Sequence, residues 1–187
     1  MSDLSNAGKI IAKEVIADYA GVRIVKLTIA APEISRKAGA GQFVVVMPSE
    51  KGERIPLTIV KADSKAETIV LIFQEAGLTT KILGALNAGD NLYALVGPLG
   101  HATLIENYGK IILVGGGVGI AEIYPVAKSL KQAGNNITVV IGAKTKELLI
   151  LEKELRDTAD KIYIMTDDGS LGRAGFTTTV LEDLLKK

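Results

Sequence analysis

The sequence predicts a β plus α/β chain: an N-terminal antiparallel six-stranded β-barrel followed by a parallel, Rossmann-like sheet wrapped in helices. Up to about residue 100 the apolar residues come in short alternating segments punctuated by Gly, Pro, Asp and Ser, as in antiparallel strands with one face in a core. From Lys110 onward they come instead in continuous runs separated by helical stretches, the mark of parallel strands buried on both faces. Where one such run ends and a helix-like stretch begins stand Gly115, Gly116, Gly117, Val118 and Gly119, the strand, glycine turn, helix order of an α/β unit.

In the first half, Val25, Leu27 and Ile29 interleave with Lys26 and Thr28, and the segments 9–16, 42–47, 55–60, 67–74 and 91–96 are similar in length. Six short strands of this kind close into a small barrel or sandwich. One helix, Thr79 to Leu86, precedes the turn Asn87-Ala88-Gly89-Asp90. In the second half the expected strands are Ile111 to Val114, Ile137 to Ile141 and Ile162 to Met165; the expected helices are Ala121 to Gln132, Lys146 to Thr158 and Thr177 to Lys186. The change of period and the polar stretch Glu106-Asn107-Tyr108-Gly109 divide the chain into domains 1–103 and 104–187.

Composition narrows the function. With 187 residues and 48% hydrophobic content the chain builds ordinary globular cores. Twenty-two basic residues nearly cancel 21 acidic ones, and neither sign clusters, so neither nucleic acid nor a membrane surface is an expected partner. No run of 18 apolar residues suggests a membrane span, the N-terminus shows no leader-like apolar stretch, and the cytoplasm is the expected location. The absence of cysteine excludes disulfides and an iron-sulfur cluster held by this chain's own thiolates. The single histidine, His101, reads as a loop residue, which argues against a zinc site and a nucleophile–histidine pair. No catalytic side chain is assigned, so any chemistry would rest on a bound organic cofactor.

Glycines in a strand-to-helix turn let the backbone approach a pyrophosphate, which the first N–H groups of the helix then hold. The spacing here departs from the usual G-x-G-x-x-G, because Ile120 or Glu122 stands at the final glycine. The second strand runs out into Gly142-Ala143-Lys144 with no acid for a ribose. Two readings follow, a dinucleotide turn or a tight turn that packs helix on sheet without a ligand. Lys144 and Lys146 suit a 2′-phosphate or plain solvation, and Glu122 could simply complement its helix dipole.

Four motifs then make a resemblance specific: Glu53-Arg54-Ile55-Pro56-Leu57-Thr58; Phe73-Gln74-Glu75-Ala76-Gly77-Leu78-Thr79-Thr80; Gly97-Pro98-Leu99-Gly100; and Gly-Gly-Gly-x-Gly at 115–119 followed by Ala121. In this order, from Ala40-Gly41-Gln42-Phe43 through Gly172-Arg173-Ala174-Gly175-Phe176, the chain resembles the ferredoxin-NADP reductase superfamily of flavoprotein reductases. Within it, the likeness is to the small flavin subunits of NADH-dependent ferredoxin:NADP oxidoreductase (sulfide dehydrogenase) and to the electron-transfer subunit of dihydroorotate dehydrogenase. The resemblance implies FAD in domain 1–103, held by Arg54, Leu57 and Thr58 and by Phe73, Gly77, Thr79 and Thr80, with Gly97 in a turn beside the NAD pocket. Arg54 could otherwise be an exposed edge-strand arginine, and Thr79 could cap the helix. For domain 104–187 the resemblance implies NAD(H) as co-substrate, held by Gly115, Gly116, Gly117, Val118 and Gly119. Asp167 and Asp168, at the end of the third strand, either accept ribose hydroxyls or start a turn.

The implied reaction is hydride transfer from NADH to FAD, then passage of electrons to a larger iron-sulfur flavoprotein subunit or a ferredoxin. The alternatives are a stand-alone NAD(P)H-dependent flavin reductase and a non-catalytic FAD-binding remnant with impaired NAD binding. Family members continue with a further strand and a cysteine-rich [2Fe-2S] segment that these residues do not contain. The α/β domain is therefore expected to be truncated at its last strand, with the Ile111 to Val114 edge covered by a partner, by self-association or by a rearranged tail.

Overall fold

A computed structural model describes residues 8–186; the N-terminal stretch read for a leader lies outside them. The chain divides after Thr103 into two compact units.

The first unit runs β1 (Ile10–Tyr19), β2 (Val22–Ala30), α1 (Pro32–Lys37), β3 (Phe43–Met47), β4 (Ile55–Thr58), β5 (Lys61–Asp63), β6 (Thr68–Gln74), α2 (Leu78–Ala85) and β7 (Ala94–Leu99). As expected it is antiparallel and barrel-like, with seven strands rather than six, in a four-stranded sheet, β1-β2-β6-β5, and a three-stranded sheet, β4-β3-β7. The alternation read in the sequence sets the packing. Val25, Leu27 and Ile29 of β2, Val44 and Val46 of β3, and Ile69, Leu71 and Phe73 of β6 meet in one core. Each such side chain contributes about 1.5–3 kcal/mol by leaving water. Pro56 is tolerated because β4 is an edge strand, where a missing N–H interrupts no second ladder.

The second unit runs β8 (Lys110–Gly116), a 3₁₀ turn at Gly117–Gly119, α3 (Ile120–Gln132), β9 (Asn136–Ala143), α4 (Glu152–Thr158), β10 (Lys161–Thr166), β11 (Arg173–Ala174) and α5 (Thr177–Leu185). Its parallel sheet has the order β11-β10-β9-β8. Ile137, Val139, Val140 and Ile141 of the inner strand β9 are wholly buried, as a strand covered on both faces requires. On one face Val140, Met165 and Val180 form a cluster with Ile112, Val114 and Leu184. β8 ends the sheet, and among the described residues no strand pairs with its outer edge.

Buried Asn135 fixes the entry to β8. Its Oδ1 accepts from the N–H groups of Tyr108 (2.6 Å) and Gly109 (3.1 Å), while its Nδ2 donates to the carbonyls of Glu106 and Leu130, both at 2.8 Å. The side chain thereby satisfies backbone groups that this connecting segment leaves outside regular structure.

Candidate functional site

In the second unit the carboxyl ends of β8, β9 and β10 surround a cavity of about 280 Å³ lined by Gly116, Gly117, Ala143, Lys144, Asp167 and Phe176 among others. The glycine run splits into two roles there. A Cβ on Gly115 would lie 2.9 Å from Ile123 Cδ1 and 3.1 Å from Ile120 Cα, so this glycine lets α3 lie close on the sheet. At Gly116, Gly117 and Gly119 a Cβ would meet nothing within 4 Å, and Gly117 holds a left-handed φ of +54°. These three leave open backbone immediately before the first N–H groups of α3, the arrangement that receives a phosphate. Val118 is half-buried in the same turn, and Glu122 is exposed on the first turn of the helix.

The two aspartates lie along the end of β9. The N–H of Asp167 donates to the carbonyl of Ala143 at 3.1 Å, and that of Asp168 to the carbonyl of Lys144 at 3.3 Å. Their side chains differ in what they meet. Asp168 Oδ1 accepts from Ser170 Oγ (2.6 Å) and from the Ser170 N–H (3.0 Å), whereas Asp167 lines the cavity. Ser170 Oγ in turn accepts from the N–H of Lys146 at 2.9 Å, and Thr145 Oγ1 donates to Glu147. The Ser170 hydroxyl and N–H hold the Asp168 carboxyl below the usual range, and the Thr145 hydroxyl does the same for Glu147. Asp168 thus starts a turn, while Asp167 lines the cavity.

Phe176 sits at the rim of this cavity, 69% exposed. Sequence reading missed it as a site residue, although an aromatic between Gly175 and the three threonines that open α5 is a local signal.

In the first unit, Ile55 and Leu57 pack against the core, so alternation puts Pro56 and Thr58 on the opposite face of β4, just after exposed Arg54. Leu57 turns its side chain to the core, so any contact it makes with a ligand is through its backbone. Phe73 is likewise packed in the core, 2% exposed. The start of α2 also differs from expectation. The N-cap is Gly77, whose N–H donates to Thr80 Oγ1 at 2.9 Å, and that hydroxyl donates back to the Gly77 carbonyl. Thr80, not Thr79, closes the helix start. Thr79 is buried and donates to Glu53 Oε2 at 3.3 Å, which joins the segment before Arg54 to the first turn of α2. Two of this unit's three motifs are therefore brought together, with exposed Arg54 beside them in sequence.

Gly97 belongs to β7 rather than to a turn. A Cβ there would lie 2.6 Å from Val44 Cγ1, so close strand packing accounts for it, and the chain turns at Gly100, φ +75°. His101 is exposed. Among the described residues no group of three or more His, Cys, Asp and Glu side chains could hold a metal ion, and no helix is long and apolar enough to cross a membrane.

No family model matches the chain. It is 46% identical over 156 residues to the dihydroorotate dehydrogenase B (NAD(+)) electron transfer subunit homolog of Thermotoga maritima, an alignment that covers 83% of this chain and 55% of that protein. A solved structure of NADH-dependent reduced ferredoxin-NADP oxidoreductase superposes on 100% of this chain and 66% of its own, with a TM-score of 0.89 and 41% identity. A ferredoxin-NADP+ reductase from Plasmodium falciparum superposes on 98% of this chain and 82% of its own at TM-score 0.77, with 14% identity, a likeness of fold alone. The chain thus spans 55% of that curated relative and 66% of the NADH-dependent oxidoreductase's chain. By sequence the chain is similar to the electron transfer subunits of dihydroorotate dehydrogenase B, and its fold is that of the ferredoxin-NADP reductases.

Proposed function

We propose that the chain is the FAD- and NAD(H)-binding part of an electron-transfer flavoprotein, which takes a hydride from NADH and delivers electrons to an iron-sulfur partner. The observation that carries this reading is the open glycine turn at the head of α3, in a chain that superposes along its whole length on part of an NADH-dependent oxidoreductase. FAD, when bound, supplies the redox chemistry, since it accepts two electrons together and releases them one at a time.

The chain's own residues bind and orient. In the first unit, the forked guanidinium of Arg54 suits a diphosphate, the N–H groups at the start of α2 complement its charge, and the Thr58 hydroxyl offers a hydrogen bond to the flavin. In the second unit, Gly116, Gly117 and Gly119 admit the pyrophosphate of NADH to the head of α3, with Val118 packing the turn. Hydride transfer itself asks no side chain to move a proton.

The iron-sulfur partner is a larger flavoprotein subunit or a ferredoxin. The 187 residues hold no cysteine, so cluster thiolates would come from outside them. The test is an anaerobic titration of the FAD-reconstituted protein with NADH, followed by flavin absorbance. Stoichiometric bleaching is expected, with NADPH much less effective. A protein that cannot retain FAD, or a bound flavin that NADH leaves oxidised, would overturn the proposal.

A further inference from the structure

Resting on the reading of the first unit as the flavin site, we propose that Glu75 is a positioning residue for FAD. Its carboxylate, seated against Gly84 and faced by Arg23, fixes the chain that enters α2 and so aims the head of that helix at the diphosphate. The seat is an unusual place for an acid. The Glu75 side chain is 12% exposed, and its Oε1 is buried with no hydrogen-bond partner among the described residues. Arg23 Nη1 lies 3.8 Å from that oxygen, a contact of opposite charges without a hydrogen bond, and Arg23 Nε is buried beside it without a partner of its own. A carboxylate leaves water at heavy cost unless a counter-charge stands by, so Arg23 is what permits the burial.

The helix leaves room for this carboxylate. A Cβ on Gly84 would stand 2.6 Å from Glu75 Cδ and closer still to its Oε1, so any side chain there expels the acid. Gly84 lies within α2 and holds no left-handed backbone, so the seat, rather than a special conformation, calls for glycine where alanine is the better helix former. The seat is also at the last turn of α2, whose dipole repels an anion, so the helix itself does not draw the carboxylate there. The backbone of Glu75 is tied on its other side, its N–H donating to the Arg23 carbonyl at 2.9 Å. Backbone and side chain together hold Glu75 between β2 and α2, two residues ahead of the N-cap Gly77. Leu83, wholly buried, anchors the helix in the core, and one such anchor leaves it free to pivot. The Glu75 seat at the last turn and the Thr79–Glu53 bond at the first remove that freedom. The N–H groups at the head of α2 are thereby held in one direction, which hydrogen bonds to a diphosphate require.

The experiment is calorimetric binding of FAD to the full chain and to Glu75→Ala, Gly84→Ala, Arg23→Gln and their pairwise combinations with Glu75→Ala, each shown to be folded by circular dichroism. Binding to folded protein, without turnover, separates position from stability. Glu75→Ala and Gly84→Ala are each expected to weaken FAD at least about tenfold. The double variant should be no weaker than Glu75→Ala alone, to within about twofold, because both changes empty the same seat. Arg23→Gln should weaken FAD in the wild-type background and leave Glu75→Ala unchanged. Ile29→Val, a trimmed core side chain remote from α2 in sequence, serves as the stability control and should bind FAD like the wild type. If Gly84→Ala does not fold, the Arg23→Gln and Glu75→Ala cycle decides by the same criterion. Losses that multiply in the double variants, a Glu75→Ala chain that binds FAD as the wild type does, or an equal loss in Ile29→Val would overturn the positioning role while leaving the flavin site standing. A folded wild type that does not bind FAD would overturn the flavin reading, and the role of Glu75 with it.

Discussion

Gly117 and Gly172 both hold left-handed backbone, at φ +54° and +70°, yet alanine at the two positions should fail in different ways. At Gly172 a Cβ would stand 2.1 Å from the carbonyl oxygen of Ile164, so backbone must move as well as strain. Gly172→Ala is expected to cost about 3 kcal/mol or more of stability. At Gly117 nothing lies within 4 Å, and the added methyl should cost only the conformational strain of about 1–2 kcal/mol. The same methyl would occupy the open approach to the head of α3, so Gly117→Ala should lose clearly less stability than Gly172→Ala yet bind AMP and NADH at least about tenfold more weakly. Melting curves and calorimetry on both variants separate the roles; equal nucleotide binding by Gly117→Ala would remove the turn from the proposed site. The sequence shows both residues as glycine. What distinguishes them is the carbonyl of Ile164, brought close only by the fold. Leu57 and Phe73 show the same point in reverse: the motifs name them without saying which atoms face a ligand, and only the fold shows that their side chains pack in the core.

The long elements were legible in the sequence because they repeat a pattern. β2, β3, β6, β8, β9 and β10 cover the apolar runs, and α3 lies where the helical period placed it. The short elements were not. α1 is six residues and β5 three, too brief for any period to emerge. β7 continues through Gly97 and Pro98, a pair that reads locally as a turn. The single helix expected over 146–158 is interrupted at Leu151, which adopts φ +55° before α4 begins.

How these elements are joined also escapes a pattern, and Asp160 is the case that can be tested. Its Oδ1 accepts from Lys131 Nζ at the end of α3 (2.6 Å), and its Oδ2 accepts from the N–H of Ile137 near the start of β9 (2.7 Å). The hydrogen bond from Lys131, then that from Ile137, holds its carboxyl below the usual range. Because the folded value lies below the unfolded value of about 3.9, the stabilisation is fully present above that pH and disappears as pH falls through the folded value. Asp160→Asn should therefore be less stable than the wild type at neutral pH, and the two urea-denaturation curves should converge below about pH 4. Asp63, Glu147 and Asp168 shift in the same direction, so the informative quantity is the difference between wild type and variant. A constant difference from neutral pH down to strong acid would mean that Asp160 acts by packing rather than by charge.

At the scale of the whole molecule, the two candidate sites are drawn from units with separate cores, and this gives each ligand an address. FAD and NADH both carry an ADP moiety, so affinity alone cannot say which unit an added flavin occupies. Amide hydrogen exchange can. FAD should slow exchange in the segments 54–58 and 77–80, and AMP in 115–119, 142–144 and 167–170, since bound ligand both covers these backbones and raises the free energy of opening them. At a hundredfold excess over the dissociation constant that increment is about 2.7 kcal/mol for an opening that releases the ligand, enough to slow exchange by roughly a hundredfold. The decisive arrangement is FAD with excess AMP. If each ligand has its own unit, AMP adds its protection and leaves that of 54–58 intact. Protection by FAD that appears at 115–119 and vanishes on adding AMP would place the flavin's ADP in the glycine-turn cavity, and the division of labour between the units would have to be reversed.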